Sequence, residues 1–168
     1  MSRPVAYGQA YGPRCIVKVP VPHITTSAAN FYADSGKFVA VKSNTGYAFL
    51  ASNNTWGGAE GGLFGWAEVG TYATPTNTGA DTIAVNVAND AVFEMPIVSA
   101  LSESLCKSMV SRLCELEIIG GKQYANYDAA TGVALVQIVD YKYYGALVGE
   151  QSLLVRLAPG IRSYTCVT

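Results

Sequence analysis

The chain has 168 residues, of which 50% are hydrophobic and only 14% charged, and its formal net charge is −1. This length suits one domain with a full hydrophobic core, and scattered basic residues exclude the clustered basic surface that nucleic-acid binding needs. Ordinary domains carry about 25% charged residues, so we expect partner proteins to cover part of this surface, although a neutral surface rich in Ser, Thr, Asn and Gly would give the same composition.

The N-terminal segment, residues 1–35, contains Pro4, Pro13, Pro20 and Pro22. Proline restricts its own backbone and that of the preceding residue, which favours an extended chain. Several aromatic side chains add contact area that disordered tails usually lack. The segment therefore predicts an extended arm that becomes ordered against a neighbouring subunit, with a frayed tail as the alternative.

From residue 36 onward, short strand patterns alternate with turn residues. The predicted strands are 37–42, 47–51, 63–71, 82–87, 92–97, 113–119, 133–143 and 152–157. Asn44-Thr45-Gly46 predicts a hairpin turn, and Pro96 predicts an edge strand or a bulge. Short strands at this spacing predict a mostly-β domain over residues 36–168, either a small β-barrel, a β-tulip-like module or a sandwich.

One short helix is predicted between these strands, ending near Arg112. Ser99 or Ser102 is the candidate N-cap. Apolar residues at helical spacing are Leu101, Leu105, Met109 and Val110. In the strand that follows, Glu115 and Glu117 share one face, which predicts that both point to solvent.

The residues that could support catalysis are few. His23 is the single histidine, and it lies in the predicted arm, which is a poor platform for a preorganised base. The glycine-rich run at 56–62 lacks the Lys-Ser/Thr ending of a phosphate loop. We therefore expect no enzyme activity and no bound cofactor.

The four cysteines, Cys15, Cys106, Cys114 and Cys166, form no Cys-x-x-Cys pair, and one histidine cannot complete a zinc site. We expect no metal centre and free, buried thiols, and a disulfide between two of them remains open. Tyr141, Tyr143 and Tyr144 suit a protein interface, an ordinary strand or a glycan-binding platform.

The chain has no apolar run near the ~18 residues that a membrane helix needs. Its first residues also lack the apolar region of a signal peptide. We expect a protein that is made in the cytoplasm and does not bind membranes.

Several short segments carry a resemblance to one family. They are Asp90–Ile97, Leu101–Met109, Cys114–Ile118, Ala129–Gly132, Val136–Asp140 and Leu153–Leu157. With these segments, residues 36–168 resemble the capsid decoration (cement) proteins of tailed bacteriophages. The resemblance implies a β-barrel or β-tulip-like module in the virion, on the outer surface of the capsid.

The resemblance also implies partners and a mechanical role. Each copy would bind the major capsid protein and would stabilise the capsid by bridging its subunits. It would contact neighbouring copies of itself in a trimer, or bridge lattice positions as a monomer. The implied interface residues are Arg3, Tyr7, Tyr11, Arg14, Phe31 and Tyr32, and no catalytic residues are implied. The alternatives are another virion structural protein, such as a minor capsid, neck or tail subunit, and a carbohydrate-binding module displayed on the virion.

Overall fold

The structure is a computed structural model that describes residues 8–20, 37–41, 46, 48–51, 63–68, 82–120, 122–127 and 134–159. The strands are β1 (Gly8–Tyr11), β2 (Ile16–Pro20), β3 (Lys37–Val41), β4 (Ala48–Leu50), β5 (Leu63–Ala67), β6 (Thr82–Asn86), β7 (Val92–Pro96), β8 (Leu113–Ile119), β9 (Lys122–Asn126), β10 (Val136–Tyr143) and β11 (Gln151–Leu157). The helix α1 spans Glu103–Met109. The predicted mostly-β class with a short helix is confirmed.

The strands form two antiparallel sheets. Sheet A has the order β1-β7-β11-β10-β8-β9, and sheet B has the order β2-β6-β5-β3-β4. Both orders are open, so within the described residues the strands close no barrel. Of the predicted architectures, the β-sandwich fits this arrangement.

The two sheets pack together around three aromatic rings. Trp66 of β5 stacks on Phe93 of β7 with ring centroids 4.5 Å apart, and Phe38 of β3 meets Trp66 edge-on at 4.7 Å. These rings belong to one large buried cluster that draws side chains from both sheets and from α1. A second buried cluster, which includes Val39, Ala67 and Val85, lies on the opposite side of sheet B.

The helix begins at one of the two predicted N-caps and ends at Met109, three residues before the predicted end at Arg112. Ser102 is the N-cap, and its hydroxyl accepts a hydrogen bond from the Leu105 N–H at 3.2 Å. Cys106 and Met109 face the core, whereas Leu105 is exposed. The predicted hairpin is also present, because β3 and β4 pair antiparallel on either side of Asn44-Thr45-Gly46.

Residues 8–20 differ from the predicted arm. β1 pairs with β7 in sheet A, and β2 pairs with β6 in sheet B, so this segment belongs to both sheets. The arm was predicted from its prolines, but a proline is compatible with an edge strand because its missing N–H is tolerated there. Pro20 is the last residue of β2, which is the edge strand of sheet B. The rest of the predicted arm, residues 1–7 and 21–35, lies outside the described residues.

Pro96 does not mark an edge strand, because β7 lies between β1 and β11. It is the last residue of β7, and the described pairing of β1 with β7 reaches only Glu94. The strand can therefore lie inside the sheet without needing an N–H at Pro96.

The prediction that Glu115 faces solvent is wrong, since Glu115 is only 3% exposed. β8 pairs with β10 at Leu113 and Cys114 and then with β9 from Glu115 onward. The sequence did not predict β9, so the pairing of β9 with Glu115 and the rest of β8 was not foreseen. Glu117 is half-buried, and its carboxylate accepts a hydrogen bond from the Asn126 amide at 2.8 Å.

Candidate protein-interaction surface

The structure describes two of the six predicted interface residues. Tyr11 is the last residue of β1, and Arg14 lies in the short connection from β1 to β2. Arg3, Tyr7, Phe31 and Tyr32 lie outside the described residues.

The segment Tyr11–Ile16 is called the β1–β2 corner below. It joins the edge strand of sheet A to the edge strand of sheet B. Tyr11 is 53% exposed and Ile16 is 44% exposed, so the corner presents two large apolar side chains to solvent. Ile16 is not among the predicted interface residues, although the alternation of Ile16 and Lys18 with Val17 and Val19 marks it as outward-facing.

A buried amide fixes the backbone of the corner. Asn86 at the end of β6 is 1% exposed, and its Oδ1 accepts hydrogen bonds from the N–H groups of Cys15 at 3.0 Å and Ala88 at 3.1 Å. Its Nδ2 donates to Gln9 Oε1 at 3.1 Å, and Gln9 in turn donates to the Gly12 carbonyl at 2.8 Å. The exposed side chains of the corner therefore stand on a backbone that is held from inside the protein.

Gly12 allows the corner to lie close to the turn between β6 and β7. Its φ is +102°, and a Cβ at this position would lie 2.7 Å from the Asp90 carbonyl oxygen and 2.9 Å from Ala91 Cα. Glycine is the residue that tolerates both the positive φ and this close approach.

Arg14 forms an ion pair with Glu68, which follows β5, and its Nε donates to Glu68 Oε1 at 3.1 Å. The hydrogen bond and the charge of Glu68 raise the pKa of Arg14 above its ordinary value. The Arg14 side chain stays 63% exposed, so the pair is screened by water and contributes little to stability. Arg14 belongs to the same short segment as Tyr11 and Ile16, and Glu68 balances its charge.

Cys15, inside the corner, is disulfide-bonded, so the expectation of a free thiol is wrong for this residue. Cys106 and Cys114 are free and buried, as expected. Burial raises the pKa of the Cys114 thiol to about 12, with a smaller contribution from the charge of Glu115. Cys166 and His23 lie outside the described residues.

The tyrosines of the β10 end do not form a flat aromatic platform. Tyr141 and Tyr143 are half-buried and pack against the core, and Tyr144 is exposed. A glycan-binding face needs neighbouring rings that are open to solvent. The β1–β2 corner is therefore the better-supported of the predicted surfaces.

Across the described segments, His, Cys, Asp and Glu side chains form no group of three that could hold a metal ion. In that part of the chain no helix is long and apolar enough to cross a membrane.

Comparison with protein-family models, curated proteins and solved structures gives no match to this chain.

Proposed function

We propose that the chain is a structural virion protein that binds the outer surface of a phage capsid and bridges its subunits. The observation that carries the proposal is the β1–β2 corner, where Tyr11 and Ile16 are exposed on adjoining edge strands. Tyrosine and large aliphatic side chains of this kind supply the buried area at the centre of protein interfaces.

The rigidity of the corner supports a binding role. Ordering a flexible segment on binding costs conformational entropy, and a segment that is already ordered avoids that cost. The Asn86 amide and the Gly12 contact hold the corner before any partner arrives. The exposed apolar residues are thus presented in a fixed arrangement.

The composition supports the same function. With 14% charged residues and a net charge of −1, the chain generates little long-range repulsion between closely spaced copies. A capsid offers many equivalent sites, and a protein that contacts two capsid subunits at once gains strength from multivalency. Modest single contacts are then sufficient for stable attachment.

The proposal is tested by sedimenting the purified chain with expanded capsid shells of the phage that encodes it. The double variant Tyr11→Ser, Ile16→Thr removes the apolar area of the corner without changing charge. We expect the wild type to saturate the shells at a fixed ratio and the variant to bind at least about 30-fold more weakly, which corresponds to the loss of one strong interface contact.

The matched control is Ile119→Thr, because Ile119 is also an exposed aliphatic residue, at the tip of the β8–β9 hairpin. The control variant should bind as the wild type does. A wild-type chain that remains in the supernatant with every shell preparation would contradict the proposed function.

A further inference from the structure

Cys15 of the β1–β2 corner is disulfide-bonded, and the other cysteines indicate its partner. The chain has four cysteines, Cys15, Cys106, Cys114 and Cys166. Cys106 and Cys114 are free thiols, 1% and 2% exposed. Within one chain, Cys166 is therefore the cysteine that is left to pair with Cys15.

The strand order brings the end of β11 close to the end of β1. Both strands run antiparallel to β7, which lies between them, and both end beside its first residues. Tyr11 pairs with Val92 of β7, and Val155 pairs with the next residue, Phe93, so two strand spacings, roughly 10 Å, separate β1 from β11 there. Cys166 follows the last residue of β11 by nine positions, enough chain to span about 30 Å. The chain after β11 is therefore long enough to reach the β1–β2 corner.

Cys15 is anchored to the interior of the protein. Its N–H donates to Asn86 Oδ1 at 3.0 Å, and its carbonyl accepts from the Val87 N–H at 2.8 Å. Its side chain packs against both buried clusters, which lie on opposite sides of sheet B. A covalent bond at Cys15 therefore attaches to a backbone position that both clusters hold in place.

The two free thiols are poor competitors for Cys15. Disulfide exchange needs a thiolate that can reach the other sulfur atom. Cys106 and Cys114 are almost completely buried, and burial raises the pKa of both thiols, that of Cys114 to about 12. Both therefore stay protonated and protected at neutral pH.

We infer that a disulfide between Cys15 and Cys166 ties the segment after β11 to the β1–β2 corner, and that it forms when the chain leaves the reducing cytoplasm. The cytoplasm keeps such thiols reduced. Outside it, a small-molecule disulfide is the oxidant: the two protons and two electrons of the thiols pass to it, its S–S bond breaks to give two thiols, and the new S–S bond forms.

The bond closes a loop that contains nearly all of the described strands. In the chain-entropy model a crosslink stabilises mainly by restricting the unfolded chain, and the effect grows with the length of the closed loop. We therefore expect the oxidised chain to resist heat better than the reduced chain. The inference uses no capsid contact, so it stands apart from the proposed attachment.

Peptide mapping of the purified chain, incubated with oxidised glutathione and then alkylated in denaturant, tests the pairing. Trypsin cleaves near both cysteines and releases residues 15–18 and 163–168. We expect these two peptides to be joined in the unreduced digest and to separate after a thiol reductant is added. Peptides that are not joined, or that are joined to another cysteine or to a second copy of themselves, would overturn the inference.

Thermal unfolding of the free chain tests the effect of the bond. The Tm of the oxidised wild type should exceed that of the reduced wild type by at least about 5 °C. Cys166→Ser should unfold at the Tm of the reduced wild type and should not respond to reductant. Cys106→Ala is the matched control: it also lacks one thiol, but it should keep the full response because Cys106 is free. Equal Tm values for the oxidised and reduced wild type, or a response that persists in Cys166→Ser, would overturn the inference.

Discussion

Gln123 in sheet A pairs with the backbone of Phe38 in sheet B as a neighbouring strand would. Its Nε2 donates to the Phe38 carbonyl at 2.8 Å, and its Oε1 accepts from the Phe38 N–H at 2.8 Å. The same Nε2 donates to the Ala51 carbonyl at 2.7 Å. One buried amide thus joins the β9 edge of sheet A to the end of the β3–β4 hairpin.

Gln123→Glu tests how much this amide contributes. The carboxylate cannot donate, so it would lie against two carbonyl oxygens in a buried site, and we expect the free energy of unfolding to fall by ~3 kcal/mol at pH 7. The measurement is urea unfolding.

Gln137→Glu is the matched control for that change. Gln137 Oε1 accepts two hydrogen bonds from Arg156, at 3.0 and 2.9 Å, and a carboxylate can accept both. Its Nε2 also donates to the Ser111 carbonyl at 3.3 Å, but this bond is exposed, so water can replace it in the variant. This variant should unfold within about 0.5 kcal/mol of the wild type. Equal stability of the two variants would contradict the role given to Gln123.

Gln151 repeats the arrangement at the other end of the core. Its Oε1 accepts from the Leu101 N–H and its Nε2 donates to the Leu101 carbonyl, both at 2.8 Å. Gln151 Nε2 also donates to the Gly145 carbonyl in the connection from β10 to β11. Gln151→Glu should therefore loosen the segment before α1 and this connection, residues 144–150, together. Hydrogen exchange should become at least tenfold faster at the Leu101 and Tyr144 amides. This rate change corresponds to a loss of about 1.4 kcal/mol in the free energy of local opening. Unchanged exchange at Leu101 would show that the side chain does not hold this segment.

The sequence predicted those parts of the fold that have local signals. The Asn44-Thr45-Gly46 turn identified the β3–β4 hairpin, and Ser102 identified the start of α1. β9 has the sequence Lys-Gln-Tyr-Ala-Asn, which shows no apolar alternation and therefore predicts no strand. What attaches this strand to the other sheet is the hydrogen bonding of Gln123 to the Phe38 backbone. That contact spans 85 residues and leaves no pattern in the local sequence.

The sequence predicted some residues of the β1–β2 corner but not its backbone structure. The sequence predicts Tyr11 and Arg14 as interface residues, but the prolines of their segment predict an arm where the structure has two strands. The pairing of β2 with β6 decides which of its side chains face outward, and this decides the exposure of Ile16. Pairing between strands that are far apart in sequence is set by tertiary packing, which single-sequence patterns do not report.

Gly12→Ala tests the close approach that positions the β1–β2 corner. The new Cβ would overlap the Asp90 carbonyl, so we expect a loss of ~3 kcal/mol from the combined strain and clash. Gly120→Ala is the control, because Gly120 also has a positive φ, +57°, but a Cβ there would meet nothing within 4 Å. That variant should lose only ~1 kcal/mol in urea unfolding. Equal losses would show that the Asp90 contact is unimportant.

The buried Cys114 thiol should make the free energy of unfolding depend on pH. Its folded pKa of about 12 exceeds the ordinary 9.0, so the folded state holds the thiol proton more tightly than the unfolded state. The stability that this residue contributes is full below pH 9 and declines as the pH rises from about 9 toward 12. The difference in unfolding free energy between the wild type and Cys114→Ala should therefore shrink between pH 8 and pH 11. A constant difference would mean that the buried thiol does not titrate as described.

Electron microscopy of purified particles that carry a label on this chain would show whether the chain covers the outside of a capsid. We expect the label to be spread over the whole shell, with extra density touching capsid subunits at the β1–β2 corner. Label confined to one vertex or to the tail, or particles without any label, would contradict it.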